Sequence, residues 1–140
     1  MSEQDVKCVI ILDEGLPLGM LANTAVILGI SLGKQAPQHV GEDVVDASGK
    51  THPGIIRTPV PVLRSSGEKL RELRERLYSG EFEDIDVVDF SDVARQCRTY
   101  DEYRQKAAAT PESGHTYYGL ALCGAKKSVN KLTGSLPLLK

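Results

Sequence analysis

Residues 59–90 read PVPVLRSSGEKLRELRERLYSGEFEDIDVVDF, and this stretch decides the fold class. Pro59–Leu63 and Ile85–Phe90 are short apolar runs rich in β-branched residues, which predicts two buried strands. Between them, leucines recur at helical spacing among charged residues, and Ser65 and Glu68 have the spacing of a capping box, which predicts an amphipathic surface helix. A strand, a helix and a strand in this order predict parallel strands joined by a right-handed crossover, and therefore an α/β fold.

The segments before this unit predict another core strand and a long helix. Val6–Leu12 is an apolar run that fits the central strand of a sheet, buried on both faces. Pro17 can begin a helix and Gly33 can end one, so we predict a helix over Pro17–Leu32. Its apolar side chains extend almost all the way round, so the sheet covers one side and another helix or a partner subunit covers the other. Val40–Thr58 predicts an exposed hairpin or loop.

The segments after the unit predict a second half of similar kind. Ser91–Ala109 is expected to be helical, with a break near Thr99. Thr116–Leu122 predicts a fourth strand, and Ala125–Thr133 predicts a short helix that Gly134 terminates.

The composition is that of one globular domain. With 140 residues, of which 41% are hydrophobic and 26% charged, the chain is long enough for one core, and we predict a single domain over residues 1–140. A formal net charge of -2 argues against a protein that coats nucleic acid, because such binding needs many Lys and Arg side chains. We therefore expect no bulk nucleic-acid binding.

The N-terminus, the apolar stretches and the cysteines predict a cytoplasmic protein. Met1–Asp5 is polar and acidic, unlike the start of a secretory signal, and Met20–Leu32 is too short and too polar to span a membrane. Cys8, Cys97 and Cys123 lack the spacing of a zinc site or a disulfide framework, which predicts buried thiols in a reducing compartment. We predict no metal site and no cofactor.

Two segments at opposite ends of the chain carry a resemblance to a known superfamily. They are KCVIIL at residues 7–12, and LALCG at residues 120–124 followed by SVNKLTGSL at residues 128–136. In this order they resemble the type II peptidyl-tRNA hydrolase superfamily. The stretches LDE at residues 12–14, VGEDV at residues 40–44 and VNKLTGSLPL at residues 129–138 are similar to an uncharacterised branch of it, the domain of unknown function numbered two thousand.

The resemblance implies a three-layer α/β/α fold, a mixed, mostly parallel sheet of four or five strands, and commonly a homodimer. It transfers little of the active site. The active enzymes have a catalytic lysine in a Gly-Lys-Gly-Lys stretch, where this chain has Gly19–Ala22, and an acid in an Asp-Ala-Gly-x-Thr motif, where it has Lys106–Thr110. Gly114–Thr116 matches the family's Pro-Gly-Thr, and Asn130 replaces an Asp. Without this Lys and this Asp, the chain lacks the family's side chains for activating water and stabilising the oxyanion, so peptidyl-tRNA hydrolysis is not expected.

Carboxylates near the ends of predicted parallel strands are the first candidate site. Asp13 and Glu14 follow the first strand, and Asp89 lies near the end of the third. They should approach one another at the carboxyl edge of the sheet, where open α/β sheets bind ligands. They could hold a metal or act as acid and base, or they could simply cap strand and helix ends in solvent. His115, beside the matched Thr116, is a candidate general base or an exposed loop residue.

Residues of the last helix are the candidate ligand-binding site. The segment contains Asn130, Lys131, Thr133 and Gly134, and Lys126 and Lys127 lie in its first turn. A helix N-terminus with nearby lysines can hold a phosphate or carboxylate, although a helix stop with solvated lysines would look the same. Asn23, on an otherwise apolar helix, could face a pocket, or it could be buried with its side chain bonded to backbone.

Three functions remain open from the sequence. The first is a binding module that holds a small anionic ligand or a tRNA end near Asn23, Thr116, Asn130 and Lys131. The second is a hydrolase or transferase on a different substrate, with His115 or the three acids as catalytic groups. The third is a structural homodimer built on the apolar helix.

Overall fold

The computed structural model describes residues 5–140, with four strands in one mixed sheet, a separate two-stranded hairpin and five α-helices. The sheet has the order β4-β1-β6-β5. Its strands are β1 (Val6–Asp13), β4 (Val62–Ser65), β5 (Ile85–Ser91) and β6 (Tyr117–Ala125). The hairpin consists of β2 (Val44–Val45) and β3 (Thr51–His52). The helices are α1 (Leu18–Gln35), α2 (Gly67–Tyr78), α3 (Asp92–Arg95), α4 (Tyr100–Ala108) and α5 (Lys126–Thr133).

The strand directions confirm the α/β class and correct the prediction of a mostly parallel sheet. β1 pairs with β4 in parallel, whereas β6 runs antiparallel to both β1 and β5. The two strands of the 59–90 unit, β4 and β5, therefore point the same way but are the two outermost strands of the sheet, because β1 and β6 lie between them. The first and last strands of the chain are neighbours in this sheet.

Alternation of side chains along β1 places apolar residues on both faces of the sheet. Cys8, Ile10 and Leu12 point to one face, where α1 packs, and Val9 and Ile11 point to the other, where α2 and α5 pack. The prediction of a strand buried on both faces is thus confirmed. β1, β4 and β5 all run in one direction. We call the end of the sheet at which β1 begins the lower edge, and the end at which β1 finishes the upper edge.

The ends of the elements follow from local chemistry. Ser66, and not the predicted Ser65, caps α2, since its hydroxyl accepts a hydrogen bond of 3.1 Å from the Lys69 backbone N–H. Thr99 caps α4 in the same way, which confirms the predicted break between α3 and α4. The C-terminal tail then runs along the outer side of β4, where the Arg64 N–H donates to the Pro137 carbonyl at 2.9 Å. This pairing covers the side of β4 that has no neighbouring strand.

Cys8 and Cys123 correct the prediction of buried thiols. The two residues are partners in the β1–β6 register, their Cα atoms are 4.1 Å apart, and a disulfide joins them. They are 115 residues apart in the chain, so no local spacing could indicate the pair. Cys97 is free and half-buried.

Within residues 5–140, no helix combines the length and the apolar character needed to cross a membrane. Most of Met1–Asp5, the segment behind the prediction of no secretory signal, lies outside the described residues.

Candidate functional site

The three predicted acids do lie near the upper edge, and each has a partner there. Asp13 accepts a hydrogen bond from the Gly15 N–H at 2.9 Å and borders the first turn of α2. Glu14 pairs with Arg64 at 3.3 Å, and Asp89 pairs with Arg74 at 2.9 Å. The contact of Asp13 fits the capping interpretation, whereas Glu14 and Asp89 are held in ion pairs. No cluster of three or more metal-ligating side chains occurs in the described part of the chain.

His115 and Thr116 precede β6 at the upper edge, where they form hydrogen bonds with residues at the end of β5. His115 Nδ1 lies 2.9 Å from the hydroxyl oxygen of Ser91, and the Thr116 N–H donates to Asp92 at 2.9 Å. Ser91 is only 2% exposed, so its hydroxyl is enclosed by the fold. A serine beside a histidine has the composition of a nucleophile and base. Ser91, however, is buried at the point where the β5–β6 register shifts. Its hydroxyl therefore fits a structural role in which it orients the His115 ring.

Arginines of α2 continue this network over the upper part of the sheet. Arg71 donates to Glu112 at 2.9 Å and to the His115 carbonyl, and its guanidinium lies 5.4 Å from the centre of the Tyr117 ring. Burial, followed by the nearby charge of Asp89, raises the pKa of the Tyr117 phenol well above its usual value. The phenol therefore stays neutral throughout the physiological range and is not a base.

The lower edge has a different character, because cationic residues from three segments line one cavity there. A cavity of about 430 Å³ lies between the start of β1, the segment 57–61 and the start of α5. Its cationic residues are Lys7, Arg57 and Lys126, and Pro59 and Pro61 form an apolar wall. No acidic residue is among the described residues that line it. A second depression shares Lys126 with this cavity and is otherwise lined by Asp5, Ala125, Lys127 and Asn130.

Lys7 and Asn130 tie the cavity to α5. The Lys7 ammonium donates to the side-chain carbonyl of Asn130 at 2.7 Å, so the amide holds this cation in place. β6 runs directly into α5, so the first backbone N–H groups of the helix are at the lower edge beside Lys126. This N-terminus adds partial positive charge to the same region.

The other residues predicted from the last helix face elsewhere. Lys131 pairs with Glu81 at 3.0 Å, away from the cavity. Thr133 is buried and its hydroxyl donates to the Val129 carbonyl at 2.8 Å, and Gly134 caps the end of α5. These three contacts match the helix-stop interpretation of the segment.

Asn23 and Thr116 do not meet Asn130. Asn23 is exposed in the half of α1 that follows the end of β1, on the opposite face of the sheet from α5, and Thr116 precedes β6 at the upper edge. The predicted common cleft for Asn23, Thr116 and Asn130 is therefore absent from the described structure, because the start of β6 and the start of α5 lie at opposite edges. Only Asn130, with Lys126 and Lys127, lies at the lower edge.

Sequence reasoning missed two of the three cationic residues of the cavity. Lys7 is the one charged residue within the otherwise apolar run Val6–Leu12, and a charge at a strand start is a signal that could have drawn attention to it. Arg57 follows two isoleucines in the loop, and its place depends on a backbone hydrogen bond of 2.8 Å to the His39 carbonyl. Such a long-range contact leaves no local pattern.

Comparison with known proteins gives a family and a fold. A family model described as "Protein of unknown function (DUF2000)" matches residues 6–140. Among solved structures, the protein of unknown function Atu0240 from Agrobacterium tumefaciens strain C58 superposes with a TM-score of 0.85 at 22% sequence identity, over 97% of this chain and 98% of that one. No curated protein matches the chain significantly. At this identity the likeness to the solved structure concerns the fold alone.

Proposed function

The chain belongs to the DUF2000 family, which is described as a family of unknown function, and from its geometry we propose that it binds small organic phosphates in the cavity at the lower edge. One observation supports this proposal above all others: Lys7, Arg57 and Lys126 line one cavity, with no acid among its described lining residues. The proposed kinship with the peptidyl-tRNA hydrolases stays a prediction and carries no part of this argument.

The charges favour a phosphate over a singly charged ligand. Like charges gathered around one cavity repel one another, and a dianion relieves that repulsion while accepting several charge-assisted hydrogen bonds. Arg57 has a carboxylate partner in Glu42 at 3.7 Å, but the Glu42 side chain is 84% exposed. An exposed pair of this kind is weak, so Glu42 is a poor competitor for a phosphate at the guanidinium.

The remaining walls favour an organic group on the phosphate. Val6, Pro59 and Pro61 present apolar surface to the same space, and the Thr58 hydroxyl lies 3.9 Å from the Cys8 sulfur within the protein interior. Ligand pockets typically combine such apolar walls with a few polar anchors. A phosphomonoester with a small ring or alkyl group meets both requirements, whereas a tRNA end would extend outside the cavity.

Replacing Lys126 by Gln tests the proposal. Phenyl phosphate is titrated into the wild-type protein by calorimetry at physiological ionic strength, with phenol as the uncharged analogue. We expect saturable binding of phenyl phosphate, no measurable binding of phenol, and at least a tenfold weaker affinity in Lys126→Gln, which corresponds to about 1.4 kcal/mol. The loss of one charge-assisted contact is of this size or larger.

Lys131→Gln is the matched control, because it removes the same charge from the same helix outside the cavity. Its affinity should stay within about twofold of the wild type, since the screening of distant exposed charges leaves little long-range effect. Equal losses in the two variants would mean that only net charge matters, and the proposal would be wrong. A 5′-phosphorylated oligonucleotide that binds much more tightly than phenyl phosphate would instead favour an RNA end as the ligand.

We further infer that two copies of the chain pair through the outer face of α1. Leu18, Val26 and Ile30 are 81%, 57% and 72% exposed, and α1 carries no charged residue before Lys34. A helix face this apolar is unusual at a free surface and typical of an interaction site. Two copies related by a two-fold axis would place equivalent uncharged faces together, so no charge would be buried.

Ile30→Glu should disrupt this homodimer. Light scattering over a range of protein concentrations is expected to give twice the monomer mass for the wild type and the monomer mass for the variant, because the glutamates would meet across the axis. Tyr100→Glu is the control, since Tyr100 is 70% exposed on a different helix. A monomeric wild type at millimolar concentration would contradict the inference.

A further inference from the structure

A second cavity, of about 240 Å³, lies between the sheet and the C-terminal half of α1. Its floor is made by Cys8 and Cys123 of the two central strands, and one wall by α1. The segment after α1 forms the roof, where the Gly41 N–H donates to the Ile55 carbonyl and the Arg57 N–H to the His39 carbonyl, both at 2.8 Å. Backbone pairing between residues 39–41 and 55–57 therefore holds the roof, and Ile56 also packs against the core.

Two glycines of α1 keep the wall of this cavity open. Gly29 and Gly33 are one helical turn apart, and a Cβ atom built on either would meet nothing within 4 Å. Glycine is the least favourable residue in a helix interior after proline, so local stability favours other residues at these positions. Their nearest counterparts toward the sheet, Leu28 and Leu32, are buried and fill the adjacent space.

The lining of the cavity defines the class of ligand. Apart from His39 at its margin, the side chains around it are apolar, among them Ile10, Ile56 and Val60. Such a space offers nothing to an ion and few partners to water. Cavities of roughly 150 Å³ with similar linings bind benzene, so this one has room for a substituted ring. The two sulfur atoms on the floor add favourable contacts to an aromatic face or edge.

We propose that this cavity is a binding site for a small uncharged aromatic or branched aliphatic molecule. The site is independent of the phosphate cavity. Ile56 and Val60 line it, whereas Arg57, Pro59 and Pro61 of the same segment line the other cavity, so the two spaces use different side chains. The ligand would lie on the disulfide, against the glycine wall, with its polar substituent, where it has one, toward His39.

Binding of 4-fluorotoluene, observed through its ¹⁹F resonance, tests the site. The wild-type protein should broaden and shift the resonance in a saturable manner. Gly33→Leu places a side chain in the cavity and should weaken binding at least tenfold, while the melting temperature stays equal or rises. Gly19→Leu makes the same change on the same helix outside the cavity and should leave the affinity unchanged.

Gly29→Leu provides a second filling variant in case Gly33→Leu fails to fold. Phenyl phosphate at saturation should leave the binding of 4-fluorotoluene unchanged, which separates this site from the proposed phosphate site. The proposal is overturned if the wild type shows no saturable binding up to the solubility limit of the probe. It is equally overturned if folded Gly33→Leu or Gly29→Leu binds the probe as well as Gly19→Leu does.

Discussion

Leu28→Ala should lower the free energy of unfolding by about 3–4 kcal/mol, as expected for a leucine removed from a close-packed core. Leu28 is fully buried between α1 and the sheet. A Cβ atom at Gly119 would lie 2.9 Å from Leu28 Cδ1, so the leucine side chain occupies the space that this glycine leaves on β6. Alanine could not reach that space, and a cavity would remain. Urea unfolding followed by circular dichroism measures the change.

Ile30→Ala is the matched control on the same helix. Ile30 is 72% exposed, so in a monomer its truncation should change the free energy of unfolding by less than about 0.5 kcal/mol. If the proposed homodimer forms, the effect of Ile30→Ala should grow with protein concentration, since dissociation is linked to unfolding. Equal effects of Leu28→Ala and Ile30→Ala at low concentration would contradict the placement of α1.

Arg74→Met should destabilise the protein by about 2–3 kcal/mol, because it leaves a largely buried carboxylate without its cation. The side chains of Arg74 and Asp89 are 13% and 22% exposed, and the Nε–Oδ2 distance is 2.9 Å. The Arg74 guanidinium also lies 3.7 Å from the centre of the Tyr78 ring, and this contact is lost as well. Urea unfolding of the single variants Arg74→Met and Asp89→Asn and of the double variant measures the coupling between the two side chains.

Arg76→Met is the control for this pair. Arg76 belongs to the same helix, but its ion pair with Glu81 is 4.0 Å long and both side chains are over 40% exposed. Such pairs contribute little, so we expect a change below about 0.5 kcal/mol. If Arg74→Met and Arg76→Met changed the free energy of unfolding by the same small amount, the ion pair would not stabilise the fold. Asp89 would then again be a candidate catalytic acid.

The elements of the fold were largely predictable because their signals are local. The apolar run of β1, the leucine spacing of α2 and the break at Thr99 each depend on a few neighbouring residues. Strand pairing is different. β6 pairs with β1 through contacts between residues more than a hundred positions apart, such as Val9 with Leu122, and periodicity contains no such information.

The candidate site was predictable only in the part that belongs to one helix. Asn130 and Lys126 come from a segment whose pattern indicated a helix N-terminus with lysines, and they do lie together at the lower edge. Lys7 joins them because β1 begins where β6 ends, which is a property of the sheet register. Thr116 was expected nearby, but its strand starts at the opposite edge, and no local pattern distinguishes the two edges.

The chemical shifts of backbone amides during a titration with phenyl phosphate show at which edge of the sheet the ligand binds. We expect the largest changes at Lys7, Thr58 and Lys126 at the lower edge, with little change at His115 and Thr116. Changes centred on His115 and Thr116, with none around Lys126, would contradict this expectation and place the ligand at the upper edge of the sheet.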